Sequence, residues 1–223
     1  MNTPRVSVIM PVYNAARWVD EAVHSVLSQG VAPLQLIAID DGSSDDSAAR
    51  LADFGTQVEL LRQDNRGPAA ARNLGLAQAR AAFIAFIDAD DTWPPGRLAR
   101  QLARLEDERD TTIVQGRLQD IALRDGAWRP RGEPYFANSL VSALFRREAF
   151  ERAGLLDESL RFCEDVDWFF TARRAGLGLL RDDHVTLLRR CHGDNMTRDR
   201  DQVRRQTLAV VARHRRALRG DQP

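Results

Sequence analysis

The alternation of short apolar runs with amphipathic stretches in the first 90 residues constrains the fold more than any other feature. Runs of strand length that are rich in β-branched residues occur at residues 6–12, 34–39, 58–61 and 82–87. Apolar residues recur at helical spacing between them, at 16–29, 45–54 and 68–79, with Ser44 as a candidate N-cap. Repeated strand–helix–strand units build a parallel sheet. The sequence therefore predicts an α/β fold with a mainly parallel central sheet.

The second half of the chain is less regular. Its predicted strands are residues 111–115, 118–123 and 140–145, and Asp125-Gly126 is a strong turn signal. Residues 127–138 contain two prolines and one glycine, which predicts a mobile connection. Helical patterns occupy residues 147–153, 166–175 and 202–218.

Length and composition predict one globular domain that spans residues 1–223. Hydrophobic residues make up 43% and charged residues 29%, which excludes collagen-like and disordered classes. No apolar run approaches the roughly 20 residues that a membrane-spanning helix needs. Cys163 and Cys191 are far apart and form no disulfide framework or zinc pattern, so we expect a reducing cytoplasmic location.

All 32 basic residues are arginine, and they balance 32 acidic residues. Any cationic side chain that contacts a phosphate must therefore be an arginine. Aromatic residues are only 7% of the chain and do not alternate with the arginines, so we expect no nucleic-acid partner. The basic helix at 202–218 either packs on the sheet with a solvated outer face or contacts an anionic membrane surface.

Polar residues follow three predicted strands at the points where ligands bind in open α/β sheets. The segments are Pro11-Val-Tyr-Asn14, Asp40-Asp-Gly-Ser43 and Asp88-Ala-Asp-Asp91. Two aspartates at i and i+2, such as Asp88 and Asp90, can reach one hard cation, and Mg²⁺ or Mn²⁺ would neutralise a diphosphate there. Acids at strand ends also solvate turns or cap helices, so this spacing alone does not decide between a metal site and a turn.

Five motifs taken together resemble the family 2 inverting glycosyltransferases of the GT-A fold, in the nucleotide-diphospho-sugar transferase superfamily. They are Val6-Ser-Val-Ile-Met-Pro-Val-Tyr-Asn14, Asp40-Asp-Gly-Ser-Ser44, Asn65-Arg-Gly-Pro68, Ala71-Arg-Asn-Leu-Gly75 and Phe86-Ile-Asp-Ala-Asp-Asp91. The resemblance implies an α/β/α sandwich with a Rossmann-like, nucleotide-sugar-binding half at residues 1–92. Residues 93–198 would then shape the acceptor site, followed by the basic helix at 199–223.

The resemblance also assigns roles in donor binding. Tyr13 would lie against the nucleobase, with Pro11, Val12 and Asn14 beside it. Asp41 would accept a hydrogen bond from the ring N–H of the base, which favours UDP, while Asp40 supports the turn.

The diphosphate end of the donor has its own set of implied residues. Arg72 would reach the phosphates or the base. Asp88, with Ala89 next to it, would contact the ribose or a metal-bound water, and Asp90 would ligate the metal. The later motif Arg189-Arg-Cys-His-Gly-Asp-Asn-Met-Thr197 would supply His192 to the metal or the diphosphate, and Arg189 and Arg190 to the leaving UDP.

The motif Cys163-Glu-Asp-Val-Asp-Trp168 stands where the family carries its general base. The resemblance implies that Asp165 is the base and that Glu164 positions the acceptor or the sugar. Acids in the first turn of a helix also complement its dipole, which is the alternative interpretation. Trp168 and Phe169 are predicted to anchor this helix in the core.

These residues predict a metal-dependent, inverting glycosyltransferase that moves a sugar from a nucleotide diphosphate donor to a hydroxyl acceptor. The chain lacks the late Gln-x-x-Arg-Trp run of processive relatives, so we expect a single transfer. One alternative is a nucleotide-sugar-binding module without turnover. Another is a nucleotidyltransferase, although the end of the first strand lacks the glycine-rich phosphate loop of that class.

Overall fold

A computed structural model describes residues 3–193 and 200–219, and the elements named below lie within these ranges. The strands are β1 (Val6–Val12), β2 (Leu34–Asp40), β3 (Glu59–Arg62), β4 (Phe83–Phe86), β5 (Ile113–Arg124), β6 (Ala127–Pro130), β7 (Ala143–Arg146) and β8 (Leu179–Arg190). The helices are α1 (Val19–Leu27), α2 (Ser47–Asp53), α3 (Pro68–Gln78), α4 (Arg97–Asp107), α5 (Glu148–Ala153), α6 (Glu164–Arg174) and α7 (Arg200–Arg219). Short 3₁₀ turns lie at Gly55–Gln57 and Leu140–Ser142.

The strands form one mixed sheet in the order β3-β2-β1-β4-β7-β5-β6, with β8 also paired to β5. β1 to β4 are mutually parallel, which confirms the predicted α/β class. β7 runs antiparallel to β4 and β5, and joins the two halves of the sheet. Val12 is level with Asp40 in the register, so the loops after β1 and β2 leave the sheet side by side.

β1, β2 and β4 are buried on both faces because helices cover this part of the sheet, whereas β3 is only half-buried. β1 exposes none of its residues, and α1 presents Val19, Ala22, Val23 and Val26 to the core, as its apolar spacing predicted. Trp168 and Phe169 are buried at 2% and 6% exposure, which confirms their predicted anchoring role. Continuous apolar runs are the expected pattern for parallel strands of this kind.

Gly75 marks the closest approach of α3 to the sheet. A Cβ at this position would lie 2.4 Å from Ile9 Cγ2 and 2.9 Å from Ile39 Cδ1, and both isoleucines are fully buried. We expect Gly75→Ala to lower the free energy of unfolding by about 1–3 kcal/mol through overpacking, measured by urea titration. Gln78→Ala, on the exposed end of the same helix, should stay within about 0.5 kcal/mol of the wild type. A Gly75→Ala protein as stable as the wild type would contradict this packing.

Several predictions for the second half are corrected by the structure. Residues 111–115 and 118–123 were expected as two strands, but β5 is continuous, with irregular pairing to β8 around Gly116. The connection predicted at 127–138 instead begins with β6, which pairs with β5 across the Asp125-Gly126 turn. Residues 140–142 of the predicted strand 140–145 form a 3₁₀ turn.

β8 was not predicted. Its first half is mostly exposed and its second half mostly buried or half-buried, and its first half carries charged side chains that form ion pairs with neighbouring elements. Arg100 binds Asp182 and Arg117 binds Asp183, at 2.8 and 2.7 Å. A strand with this many charges has the composition of a loop.

The starts of two helices also differ from prediction. α2 begins at Ser47 rather than near residue 45, and Ser44 is not its N-cap. The Ser44 amide instead donates to Asn14 Oδ1 at 2.8 Å. The Asp45 carboxylate accepts from the amides of Ala16 and Ser47, both at 3.0 Å, so residues 16–18 lie in a turn before α1.

α7 confirms the helix predicted at 202–218 and packs against α6. Val210 and His214 face inward at 2% and 4% exposure. None of the helices in the described part of the chain has the length and hydropathy needed to cross a bilayer. The predicted division at residues 92 and 198 stays a prediction.

Candidate active site

Hydrogen bonds hold the loops after β1 and β2 together along one side of the candidate site. Asn14 has a left-handed backbone (φ 48°), its amide donates to Ser43 Oγ at 3.0 Å, and its side-chain oxygen accepts from Ser44. Tyr13 stands next to this junction with 53% of its surface exposed. The ring is therefore open to a flat ligand, with Pro11 and Val12 directly before it on β1.

Asp40 and Asp41 are both buried and have different partners. Asp40 Oδ1 accepts from the Ser43 amide at 3.1 Å, which fits its predicted role in the turn. Asp41 accepts from Gln63 Nε2 at 2.7 Å and from the amides of Arg66 and Gly67, both at 2.9 Å. Asp41 thus fixes the loop that leads into α3, and its contact with a nucleobase stays a prediction.

An open depression of about 530 Å³ adjoins Asp40. It is lined by Asp40, Gly42, Ser43, Arg62, Gln63 and Asp64. Its position at the carboxyl ends of β2 and β3 is where ligands bind in open α/β sheets.

Arg72 connects the two halves of the site. α3 begins at Pro68 after Gly67 (φ 90°), and this start places Arg72 on a buried turn at 5% exposure. Its guanidinium donates to Asp88 Oδ1 at 2.6 Å and also to Glu164 Oε1. The Asp88–Arg72–Glu164 bridge therefore joins the end of β4 to the start of α6. A role for Arg72 toward phosphates or base stays a prediction.

Asp165 lies in the first turn of α6, which follows the left-handed residue Cys163 (φ 65°). Burial and the neighbouring Glu164 carboxylate raise the pKa of Asp165 to about 7, although Arg72 opposes the shift. A carboxylate that exchanges its proton near neutral pH is suited to general base catalysis. Perturbed pKa values of this kind cluster at functional sites.

The end of β4 brings Asp90 to His192. His192 Nε2 lies 3.0 Å from Asp90 Oδ2, and the His192 ring stacks on Trp18 with 4.9 Å between centroids. Burial and the charge of Asp90 raise the pKa of Asp88 despite Arg72, and Ala89 between the two aspartates is buried.

The predicted metal ligands are only partly brought together. Asp88 binds Arg72, whereas Asp90 and His192 form a pair. Within residues 3–193 and 200–219, no three His, Cys, Asp or Glu side chains are arranged to hold a metal ion. Asp91 is buried and accepts from the Arg190 amide at 2.9 Å, so its described role is structural. The predicted late motif continues into residues 194–197, which lie outside the described residues.

The late arginines also contact protein groups. Arg189 forms a two-pronged ion pair with Asp120, at 2.8 and 2.9 Å. Arg190 donates to the Asp90 carbonyl at 3.0 Å and pairs with Glu21. Contact of either arginine with a leaving diphosphate stays a prediction.

Asn73 is a site residue that the sequence reasoning missed. Its side-chain oxygen accepts from the Leu156 amide, and its side-chain nitrogen donates to the Leu156 carbonyl and to Glu158, each at 3.0 Å. These bonds hold the segment before α6 against α3, next to the Arg72 bridge. The sequence could have indicated this residue, because Asn73 directly follows Arg72 in the Ala71–Gly75 motif.

Trp18, which stacks on His192, and its neighbour Trp128 were also missed. Trp18 and Trp128 meet edge to face at 5.7 Å, and Arg190 lies 5.4 Å from both ring centroids. The β5–β6 hairpin is thereby connected to the Asp90–His192 pair.

The sequence profile of Glycosyl transferase family 2 matches residues 7–171. The chain belongs to this family. EpsJ, an uncharacterized glycosyltransferase of Bacillus subtilis, is 30% identical over 194 residues, which are 77% of this chain and 56% of EpsJ. The succinoglycan biosynthesis protein ExoU of Rhizobium meliloti is 34% identical over 197 residues, 77% of this chain and 57% of ExoU. The family 2 glycosyltransferase chain thus spans little more than half of either relative.

Solved structures support the GT-A fold of this family 2 chain. S. aureus TarS superposes with a TM-score of 0.71 at 19% identity, covering 91% of this chain and 38% of TarS. A TarS fragment, residues 1–349, in complex with UDP-GlcNAc also gives 0.71, covering 87% and 61%. The predicted family and fold are therefore confirmed.

Proposed function

We propose that this glycosyltransferase moves a sugar from a nucleotide diphosphate sugar, with UDP favoured, to a hydroxyl acceptor in a single inverting step. The Asp88–Arg72–Glu164 bridge is the observation that carries the proposal. It places the start of α6, with Asp165, against the end of β4, where the diphosphate of a donor would lie. Within this bridge, the charge of Arg72 lowers the pKa of Asp165 and the charge of Asp88 raises it.

Asp165 is the proposed general base. It takes the proton of the acceptor hydroxyl while that oxygen bonds to the anomeric carbon, and the bond to the diphosphate oxygen breaks on the opposite face. One displacement of this kind inverts the anomeric centre. Glu164, held by Arg72, orients the acceptor or the sugar.

The donor base and its diphosphate have separate proposed contacts. Tyr13 supplies an exposed ring on which the nucleobase would stack, next to Asn14, whose amide is hydrogen-bonded to Ser43. The UDP-GlcNAc complex of a TarS fragment with the same fold supports UDP as the donor nucleotide.

Asp90 and His192 are the residues that would hold Mg²⁺ or Mn²⁺. A carboxylate oxygen and an imidazole nitrogen 3.0 Å apart are donor atoms that fit such an ion, which takes its other ligands from phosphates and water. The ion would supply positive charge to the diphosphate. Asp88 faces Arg72, so we expect it to act through that pair or through a water.

A cytoplasmic location, with peripheral contact at the inner membrane face, is part of the proposal. Neither Cys163 nor Cys191 forms a disulfide, which suits a reducing compartment. The outer face of α7 exposes arginines that would attract an anionic lipid surface, namely Arg204, Arg205, Arg215 and Arg216.

A thermal-shift panel tests donor binding. We expect UDP with Mn²⁺ to raise the Tm by several degrees, because a ligand at 100 times its Kd stabilises the folded protein by about 2.7 kcal/mol. The rise should be larger than with dTDP, GDP or CMP. Asp90→Asn should remove the Mn²⁺-dependent part of the shift. Asp125→Asn, in the β5–β6 turn, is the matched control and should respond as the wild type. A panel in which no diphosphate stabilises, or in which Mn²⁺ changes nothing, would refute the donor site.

A further inference from the structure

α7 contacts the segment that directly precedes the proposed base. The Phe162 amide donates to Gln206 Oε1 at 2.9 Å, and Cys163 Sγ lies 3.0 Å from Thr207 Oγ1. Glu164 and Asp165 are the next two residues in the chain. One turn of α7 therefore holds the backbone from which both carboxylates emerge.

A second set of contacts holds α6 one turn further on. Asp167 Oδ1 accepts from Arg213 Nη2 at 2.5 Å and lies 2.6 Å from His214 Nε2. Arg213 also binds Asp157 at 2.9 Å, and the His214 ring stacks on Phe170 with centroids 5.1 Å apart. Asp167 and His214 are 8% and 4% exposed. A buried carboxylate with these partners fixes the two helices firmly relative to each other.

The backbone at Cys163 makes this support necessary. A left-handed conformation is unfavourable for a residue with a Cβ, and it persists only where the surroundings impose it. Gln206 binds the residue before Cys163, Thr207 contacts Cys163 itself, and Arg72 binds Glu164, the residue after it. The direction in which α6 starts, and so the position of Asp165, depends on these contacts.

We propose that Gln206 and Thr207 are positioning residues of this glycosyltransferase, through which α7 sets the place of Asp165 for the transfer step. The inference rests on the proposed function, in which Asp165 is the base. It gives the inner face of the basic helix a role in turnover, separate from any role of its outer arginines.

Gln206→Ala tests the inference through UDP release from UDP-GlcNAc, with water or an added sugar as acceptor. We expect kcat to fall by about 10-fold to 100-fold, because small misplacements of a catalytic group have effects of this size. The Kd for UDP, from calorimetry, should stay within twofold, since the donor loops lie on β1 and β2. Gln206→Glu keeps an acceptor oxygen for the Phe162 amide and should restore most of kcat. Leu208→Ala, at a residue of the same helix that is 60% exposed, is the matched control with unchanged kcat.

The outcomes separate the inference from the proposed function. A Gln206→Ala enzyme with wild-type kcat overturns the inference, and so does a loss of kcat that Gln206→Glu fails to restore. Should Gln206→Ala not fold, the near-isosteric Thr207→Val replaces it, with Thr207→Ser as the rescue variant. If Asp165→Asn releases UDP at the wild-type rate, the proposed base is wrong, whatever the Gln206 variants do.

Discussion

Asp165→Asn is expected to lower the rate of sugar transfer by about 10²-fold to 10⁴-fold, the usual contribution of a general base. Asparagine keeps the size of the side chain and an oxygen for the Val166 amide, which donates to Asp165 Oδ1 at 2.7 Å. It removes the oxygen that takes the proton. UDP release from UDP-GlcNAc measures the rate, and calorimetry should show the Kd for UDP within twofold of the wild type.

The pH dependence gives this prediction a second readout. A base works when deprotonated, so the wild-type rate should rise with pH through about 7, the raised pKa of Asp165. Since that pKa lies above its value in the unfolded chain, the favourable contribution of Asp165 to stability is complete below about pH 4 and is lost as pH rises through 7. Asp165→Asn carries no charge, so we expect it to have a higher Tm than the wild type at pH 8.

Other results with the Asp165 and Glu164 variants would assign the general base to another residue. If Asp165→Asn keeps its turnover and Glu164→Gln loses it, Glu164 is the base. If both variants keep the rising rate near pH 7, the titrating group lies outside α6. A higher Tm together with a lost rate would exclude misfolding as the cause.

The first half of the fold could be predicted because its local patterns carry the information. β1 and β2 are buried on both sides, so their sequences are continuous apolar runs between turn residues. α1 presents one apolar face at helical spacing. In these elements the local sequence and the tertiary environment demand the same residues, and the predicted and observed elements agree apart from their ends.

β8 shows why the second half was harder to predict. Its charged residues Arg181, Asp182 and Asp183 read as a loop because their partners, such as Arg100 and Arg117, lie on elements distant in sequence. Periodicity describes which face of a segment is apolar, but it does not identify a distant partner. Tertiary pairing therefore outweighed the local signal.

The same limit applies to the site. The family motifs named Arg72, Asp88 and Glu164 as separate functional residues, yet no local pattern shows that they form one bridge. Asn73 and Gln206 were missed because they bind mainly backbone groups, and the sequence does not show which distant backbone group a side chain will reach. Arg213 is part of the basic helix in sequence, but in the structure it pairs with Asp167 and Asp157.

Arg72→Met should destabilise the protein and remove its activity together. Methionine fills much of the same space but leaves Asp88 and Glu164 without the charge that binds both of them. Removing one member of a buried ion pair costs about 3–5 kcal/mol. We expect the lower end of that range, about 3 kcal/mol, because the Asp88 side chain is 38% exposed and water screens it.

Urea titration at two pH values tests whether the bridge is the cause. The loss should be largest at pH 8 and smaller at pH 5, because burial and Asp90 raise the pKa of Asp88, and without Arg72 this carboxylate takes up a proton more readily at the lower pH. Arg80→Met breaks the exposed ion pair to Glu59, whose side chains are 58% and 41% exposed, and should cost less than about 1 kcal/mol. An Arg72→Met protein as stable as Arg80→Met at pH 8 would mean that Arg72 does not hold the two halves of the site together. The proposed location of Asp165 beside a donor diphosphate would then lack its structural support.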